Sequence, residues 1–292
     1  MTSDSTVKSS GGSLLPTLEL MRPANTAITF AGVTAAGFIA NGLREHLPSI
    51  MLAAAAATVL SASGNIINDI YDTEIDRINK PMRPLASGRT SLRSAWVLYS
   101  ICTTAGLLAS SLLVLPAFFI AIVCTLLMWL YSAWLKRIPL IGNISVGLIT
   151  GSAFLFGTTV AGSAAAGLVP AAFAFLFNLA REIMKDIEDM DGDRSCGVRT
   201  YPLAYGEKSA RAMASFVLAL TFAATAVPWM LGMYNIWYLV IVLSGVDVVL
   251  VFIIVQMWQN PSRTNIARLC VLMKIDMPIG IAAIAAGSIK GF

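Results

Sequence analysis

The chain has 292 residues, of which 57% are hydrophobic and only 12% charged, with a mean hydropathy of +0.76. A soluble domain of this length is far less apolar, so the chain reads as an integral membrane protein. The net charge of +4 adds little by its sum and no nucleic-acid partner is expected; the placement of the basic residues carries the information instead.

Residues 1–16 are polar and rich in Ser and Gly, without the order of a signal peptide, and are expected to be a disordered tail ahead of a membrane domain at 17–292. Apolar runs follow at about 24–42, 48–68, 95–113, 116–135, 139–161, 167–187, 210–231, 235–257 and 266–288. Each is close to the roughly 20 residues that a helix needs to cross a bilayer, so the chain is expected to be all-α, with nine transmembrane helices. The connections after the even-numbered runs hold Arg77, Lys80, Arg83, Arg89, Arg93, Lys136, Arg137, Arg194, Arg199, Lys208, Arg211 and Arg263, against Arg44 alone after the odd ones. The positive-inside rule then puts the even connections and the N-terminus in the cytoplasm and the C-terminus outside. Cys102, Cys124, Cys196 and Cys270 have no metal-ligand spacing and read as small membrane-core residues.

The second and sixth runs end in acidic stripes of one spacing, 117 positions apart: Asn65, Asp69, Asp72 and Asp76, then Glu182, Asp186, Asp189 and Asp193. On a helix, positions i, i+4, i+7 and i+11 share a face. With Glu74, Glu188 and Asp191, these segments hold most of the 16 acidic residues of the chain. Carboxylates so close repel one another, and a cation among them relieves the repulsion. Oxygen ligands without His or Cys favour a hard ion, Mg²⁺ above all, shared with substrate phosphate oxygens.

Basic residues interleave with the stripes. Lys80 and Arg83 follow the first, Lys136 and Arg137 lie in the connection between the fourth and fifth runs, and Arg181, Lys185 and Arg194 stand within or after the second. Acids that hold a metal beside bases that neutralise phosphate oxygens suit a metal–diphosphate complex. Interface anchoring is the competing reading, and it is preferred for Arg89, Arg93, Lys208 and Arg211. Asn25 and Asn143 lie near the cytoplasmic ends of their runs, where substrate contact and interhelical hydrogen bonding are both open. Asp247, Lys274 and Asp276 fall inside the last two runs, where an intramembrane ion pair between helices is expected. Met128, Trp129, Trp229 and Trp237 read as packing and interface residues, and His46 sits in an external connection.

Asn68-Asp69-Ile70-Tyr71-Asp72-Thr73-Glu74-Ile75-Asp76 resembles the NDxxDxxxD element of the UbiA superfamily of intramembrane prenyltransferases, and Asp189-Met190-Asp191-Gly192-Asp193 its DxxxD element. The likeness extends to Arg22-Pro23-Ala24-Asn25, Asn79-Lys80-Pro81-Met82-Arg83-Pro84-Leu85, Tyr131 before Lys136-Arg137, and Gly197-Val198-Arg199-Thr200. It implies a bundle of nine helices around a central cavity, with cytoplasmic cap loops and an internal pseudo-repeat of about 117 residues. It also implies an allylic isoprenoid diphosphate as donor, a lipophilic acceptor, a bilayer setting and two Mg²⁺ ions, one on Asn68, Asp69, Asp72 and Asp76 and one on Asp189 and Asp193. Lys136, Arg83 and Arg194 are then expected to draw charge from the leaving pyrophosphate, with Arg22, Asn25, Asn65, Lys80, Arg137, Asn143, Arg181, Glu182, Lys185 and Asp186 as further substrate contacts.

Residues 181–189 are most similar to the digeranylgeranylglyceryl phosphate synthase group. Lys185 and Asp186 replace a Tyr-Ala pair usual in quinone-pathway members, which makes Lys185 the expected partner of a phosphate on the acceptor. An aromatic acceptor is the alternative. An ion-coupled transporter is the rival of another class, but it would want acids near the midplane rather than at one membrane face.

Overall fold

A computed structural model of the chain describes residues 14–40 and 43–289. Most of the expected tail lies outside these residues; its last part, from Leu14, starts a short helix, α1 (Leu14–Glu19). The long helices are α2 (Pro23–Ile39), α3 (Leu43–Tyr71), α5 (Leu92–Ser111), α6 (Leu115–Ala133), α7 (Ile141–Val160), α8 (Leu168–Glu188), α11 (Glu207–Thr225) and α15 (Arg263–Gly287). Between them come the short α4 (Thr73–Asn79), α9 (Met190–Ser195), α10 (Tyr201–Tyr205) and α12 (Val227–Met230). The eighth run folds as α13 (Ile236–Ile241), a π-helical stretch at Val242–Asp247 and α14 (Val248–Gln259).

Eight of these passages are long and apolar enough to span a bilayer, so the protein is a multi-pass membrane protein. The first expected run, at 24–42, forms a helix of 17 residues at Pro23–Ile39, at the lower limit for a span. The local starts follow capping chemistry. Pro23 and Pro116 sit in the first turns of α2 and α6, where a missing N–H costs nothing, and the hydroxyls of Ser91 and Ser262 accept from the backbone of Ser94 and Asn265.

Packing sorts the apolar residues by side. Ile183, Met184 and Ile187 of α8 are buried against Leu218 of α11, Leu250 and Ile253 of α14 and Met273 of α15. A second core joins Val33 of α2, Ala53 and Ala54 of α3, Ala121 of α6 and Phe156 of α7. A Cβ on Gly157 of α7 would stand 2.7 Å from the Val33 carbonyl, so glycine permits that close crossing. Ile101, Leu108, Phe119, Val123 and Leu126 instead point outward from α5 and α6, as a lipid-facing surface requires. The helices surround a cavity of about 1180 Å³, and α2 and α15, the first and last of the long helices, pack on one another and both line it.

Candidate active site

Both acidic stripes run through a break in their helices. Asp72 stands between α3 and α4 with φ −95° and ψ 4°, and Asp189 between α8 and α9 with φ −89° and ψ 3°. This sparsely populated bridge conformation bends the chain at the same place in both stripes. A straight helix face was expected; instead Asp76 and Asp193 lie on short helices that fold back against each other, with α4 packed on α9.

Asn79 fastens that contact. Its amide nitrogen donates to the Asp189 carbonyl at 2.8 Å, and its amide oxygen accepts from the Gly192 N–H at 2.9 Å. A Cβ on Gly192 would meet the Asn79 side chain at 2.5 Å, so the clasp depends on that glycine. Lys80 adds a charged link, with Nζ 2.9 and 2.8 Å from the two carboxylate oxygens of Asp189. Arg263, at the start of α15, pairs with Asp191 and pins a third element to the same mouth.

All but one of the inner carboxylates have a nearby donor; Asp193 has none among the described residues. Arg83 Nη1 lies 2.6 Å from Asp76 Oδ2 and 3.3 Å from Asp69 Oδ1, and Arg22 also bonds Asp69. Arg22 caps α2 in the left-handed region, at φ 52°, a conformation that a non-glycine residue holds only where its surroundings fix it. Lys136 bonds Asp72, whose other oxygen accepts from Asn68 at 2.8 Å. Glu182 accepts from Arg181 at 3.0 Å and from Lys185 at 3.2 Å, and Asp186 accepts from Asn143 at 2.8 Å. Lys136 is carried on a tight turn, which Gly142 allows: a Cβ there would stand 2.8 Å from the Lys136 Cα.

Asn68, Asp72, Asp76, Asp186, Asp189 and Asp193 line one small cavity of about 70 Å³, together with Arg22, Lys80, Arg83, Tyr131, Lys136, Asn143, Glu182 and Lys185. It adjoins the large cavity, which shares Asn68, Arg22, Lys80, Arg83, Tyr131, Glu182 and Lys185 with it and continues down past Asn25 and Asn65 to Phe173, Val242 and Ile284. The result is a charged head above an apolar bay.

Burial raises Asp76 above the ordinary carboxylate range, against the pull of Arg83. It pushes Asp193 up to about 7, with Asp189 and Asp72 adding like-charge repulsion. Asp191, bonded to Arg263 at the surface, is lowered. Among the described residues no three carboxylates converge as a formed metal site. The donor set nevertheless fits a hard cation: oxygen only, without Cys or His, around a cavity lined by Asp72, Asp76, Asp189 and Asp193.

Several expectations change. Asp69 is buried at 3% exposure, lines neither cavity and is engaged by two arginines, so its carboxylate faces protein and not the lumen. Arg137 and Arg194 are exposed and line neither cavity. Asn65 lines the large cavity and donates to the Met21 carbonyl at 3.1 Å, which joins α3 to the approach to α2. The expected intramembrane ion pair is not formed among the described residues. Asp247 accepts from the Thr225 hydroxyl at 3.0 Å, both oxygens of Asp276 lack a partner, and Lys274 lines the large cavity without an ion pair. Positions two apart on a helix point to different sides, so Lys274 and Asp276 cannot both serve one partner. Asn79 and Tyr131 enter the site beyond the expected contacts; the position of Asn79, three residues after Asp76, is the sign that the sequence offers for it.

Residues 28–276 match the UbiA prenyltransferase family. The chain is 38% identical over 270 residues to the digeranylgeranylglyceryl phosphate synthase of Methanopyrus kandleri, covering 92% of this chain and 97% of that one. It is 33% identical over 274 residues to the enzyme of the same name from Methanosphaera stadtmanae, covering 94% and 99%. A solved structure concerned with digeranylgeranylglyceryl phosphate synthase in membranes is 34% identical, with a TM-score of 0.73 over 95% of this chain and 99% of that one. A UbiA homolog from Archaeoglobus fulgidus, solved bound to GPP and Mg²⁺, is 19% identical with a TM-score of 0.68, covering 92% and 99%, a likeness of fold. With the family matched over most of its length and two acidic motifs clasped over a membrane cavity, the chain belongs to the UbiA prenyltransferase family.

Proposed function

We propose that this protein transfers an isoprenoid chain, geranylgeranyl, from its allylic diphosphate to the free hydroxyl of geranylgeranylglyceryl phosphate and releases pyrophosphate. The observation that carries the reading is the clasp of the two acidic motifs, by Asn79 and Lys80, at the head of an apolar cavity of about 1180 Å³. That volume exceeds the range of pockets for ordinary small ligands and suits two lipid substrates. The acceptor rests on the relatives, which are named for the digeranylgeranylglyceryl product.

The isoprenoid tail lies in the apolar bay and the diphosphate at the mouth. Mg²⁺, when bound, stabilises negative charge on the leaving pyrophosphate. Two ions are proposed, held by Asn68, Asp72 and Asp76 on one side and by Asp189 and Asp193 on the other. Asp69 is assigned to holding Arg22 and Arg83, in place of the ligand role that its motif implied. Lys136, Arg83 and Lys80 turn from their carboxylates to the phosphate oxygens. The allylic C–O bond breaks, a new C–O bond forms to the acceptor hydroxyl, and the hydroxyl proton passes to the departing pyrophosphate. Phe154, Phe156, Phe173 and Phe177 line the cavity and exclude water from the allylic centre.

The mouth is placed in the cytoplasm with the N-terminus, and the C-terminus outside, on the basic residues of the even connections. Purified protein incubated with geranylgeranyl diphosphate, Mg²⁺ and geranylgeranylglyceryl phosphate is expected to yield digeranylgeranylglyceryl phosphate, identified by mass spectrometry. Prenylation of a phenolic acid in place of the phosphoglyceryl lipid rejects the acceptor, and no pyrophosphate release with any acceptor rejects the reaction.

A further inference from the structure

Below the mouth, α15 turns one face to the large cavity. Thr264, Ala267, Arg268, Val271 and Lys274 line it, at the spacing of a single helix stripe. The other basic residues on the cavity wall each hold a carboxylate: Arg22 and Arg83 hold Asp69, Lys80 holds Asp189, and Arg181 and Lys185 hold Glu182. Arg268 and Lys274 make no ion pair among the described residues. Glu188 and Asp276 also reach this wall, and neither bonds them. Arg181, on α8, which packs against α15, uses Nη1 for Glu182.

This patch is separate from the diphosphate head. None of Arg181, Arg268 and Lys274 lines the small cavity that holds the carboxylates. Because Arg263 pins the start of α15 beside Asp191, a rise of 1.5 Å per residue puts Arg268 roughly 8 Å and Lys274 roughly 16 Å below the second motif. Unpaired cations at these depths are held where they meet an anion or water in a cavity. The donor's own charges are accounted for at the mouth, so the anion must belong to something else.

We propose that Arg268 and Lys274 bind a phosphomonoester on the acceptor lipid and so select a phosphorylated acceptor over a neutral or aromatic one. The proposal rests on the function assigned above, and moves to α15 the task that the sequence gave to Lys185, whose ammonium instead holds Glu182.

The test uses the purified full chain with R268Q, K274Q and the double variant. Each single change is expected to raise the KM for geranylgeranylglyceryl phosphate by about tenfold or more, with the KM for geranylgeranyl diphosphate and the Mg²⁺ requirement within about twofold of the parent. Arg268→Lys and Lys274→Arg should keep the acceptor KM within about threefold, since they keep the charge. Equilibrium binding without donor or metal gives a second readout. The parent should prefer geranylgeranylglyceryl phosphate to the corresponding unphosphorylated glyceryl ether, and the double variant should lose that preference. Lys274→Met, which keeps the apolar stem, serves should the double variant fail to fold.

An unchanged acceptor KM in these variants overturns the inference and leaves the assigned reaction standing. A matching rise in the donor KM also overturns it, by giving the patch to the diphosphate. Inorganic phosphate binding as tightly as the lipid overturns it as well, by making the patch a site for free phosphate. A parent enzyme that ignores the phosphoglyceryl lipid and prenylates a phenolic acid overturns both.

Discussion

Arg83→Ala removes one guanidinium that serves two buried carboxylates. Asp76 has no other side-chain donor, whereas Asp69 keeps Arg22. Breaking a buried ion pair costs about 3–5 kcal/mol, and since Arg83 is 22% exposed the lower figure applies, about 3 kcal/mol near neutral pH. At about 2–4 °C per kcal/mol, the apparent midpoint in detergent at a fixed scan rate should fall by roughly 6–12 °C. The deficit should depend on pH. Burial already raises Asp76, and Arg83 is what opposes it, so the variant raises it further. A folded state that holds a proton the unfolded chain has released loses stability as pH rises through that window. The variant should therefore be closer to the parent at pH 5 than at pH 8, and Asp76→Asn added to Arg83→Ala should recover much of the loss. A parent-like midpoint at pH 8, or one deficit at both pH values, refutes the reasoning.

The remaining predictions address catalysis. Asp72→Asn and Asp189→Asn should each abolish nearly all pyrophosphate release while leaving helical circular dichroism unchanged, and EDTA should do the same to the parent; full activity in any of these cases removes the metal assignment. Lys136→Ala should raise the KM for the diphosphate or lower kcat by about 10²-fold, whereas Arg93→Ala, exposed and without an ion pair, should stay within about twofold, and equal effects would mean that anchoring has been mistaken for catalysis. Since Asp193 is pushed up to about 7 without metal, and a ligand must lose its proton to bind, the Mg²⁺ concentration for half-maximal activation should fall as pH rises from 6 to 8, and a flat profile counts against Asp193 as a ligand. Asn79→Ala should cost activity beyond its effect on stability, because the clasp sets the distance between the two motifs; parent-like turnover would leave it a packing residue.

Hydropathy alone placed the long helices to within a few residues, because in a bilayer every backbone polar group must be satisfied within its own segment and length is set by thickness. The first run came out at 17 residues, at the lower limit for a span. The spacing of acids also marked the mouth, since carboxylates concentrated at one face need a shared purpose. What the spacing could not contain was the bend. Asp72 and Asp189 leave the helical region, so the stripes turn, α4 meets α9, and Asn79 finds the Asp189 carbonyl 110 positions away. Nor could it separate a lumenal carboxylate from one spent on arginines. Asp69 and Asp72 are three apart in one motif, yet Arg22 and Arg83 claim the first while the second faces the cavity. Arg268 and Lys274 stand far from both motifs, and only helix packing brings their face to the cavity wall. Composition and periodicity fix which residues must avoid water or lipid, a property of each segment by itself. Which charges meet depends on contacts between segments distant in the chain, and those exist only after the helices have packed.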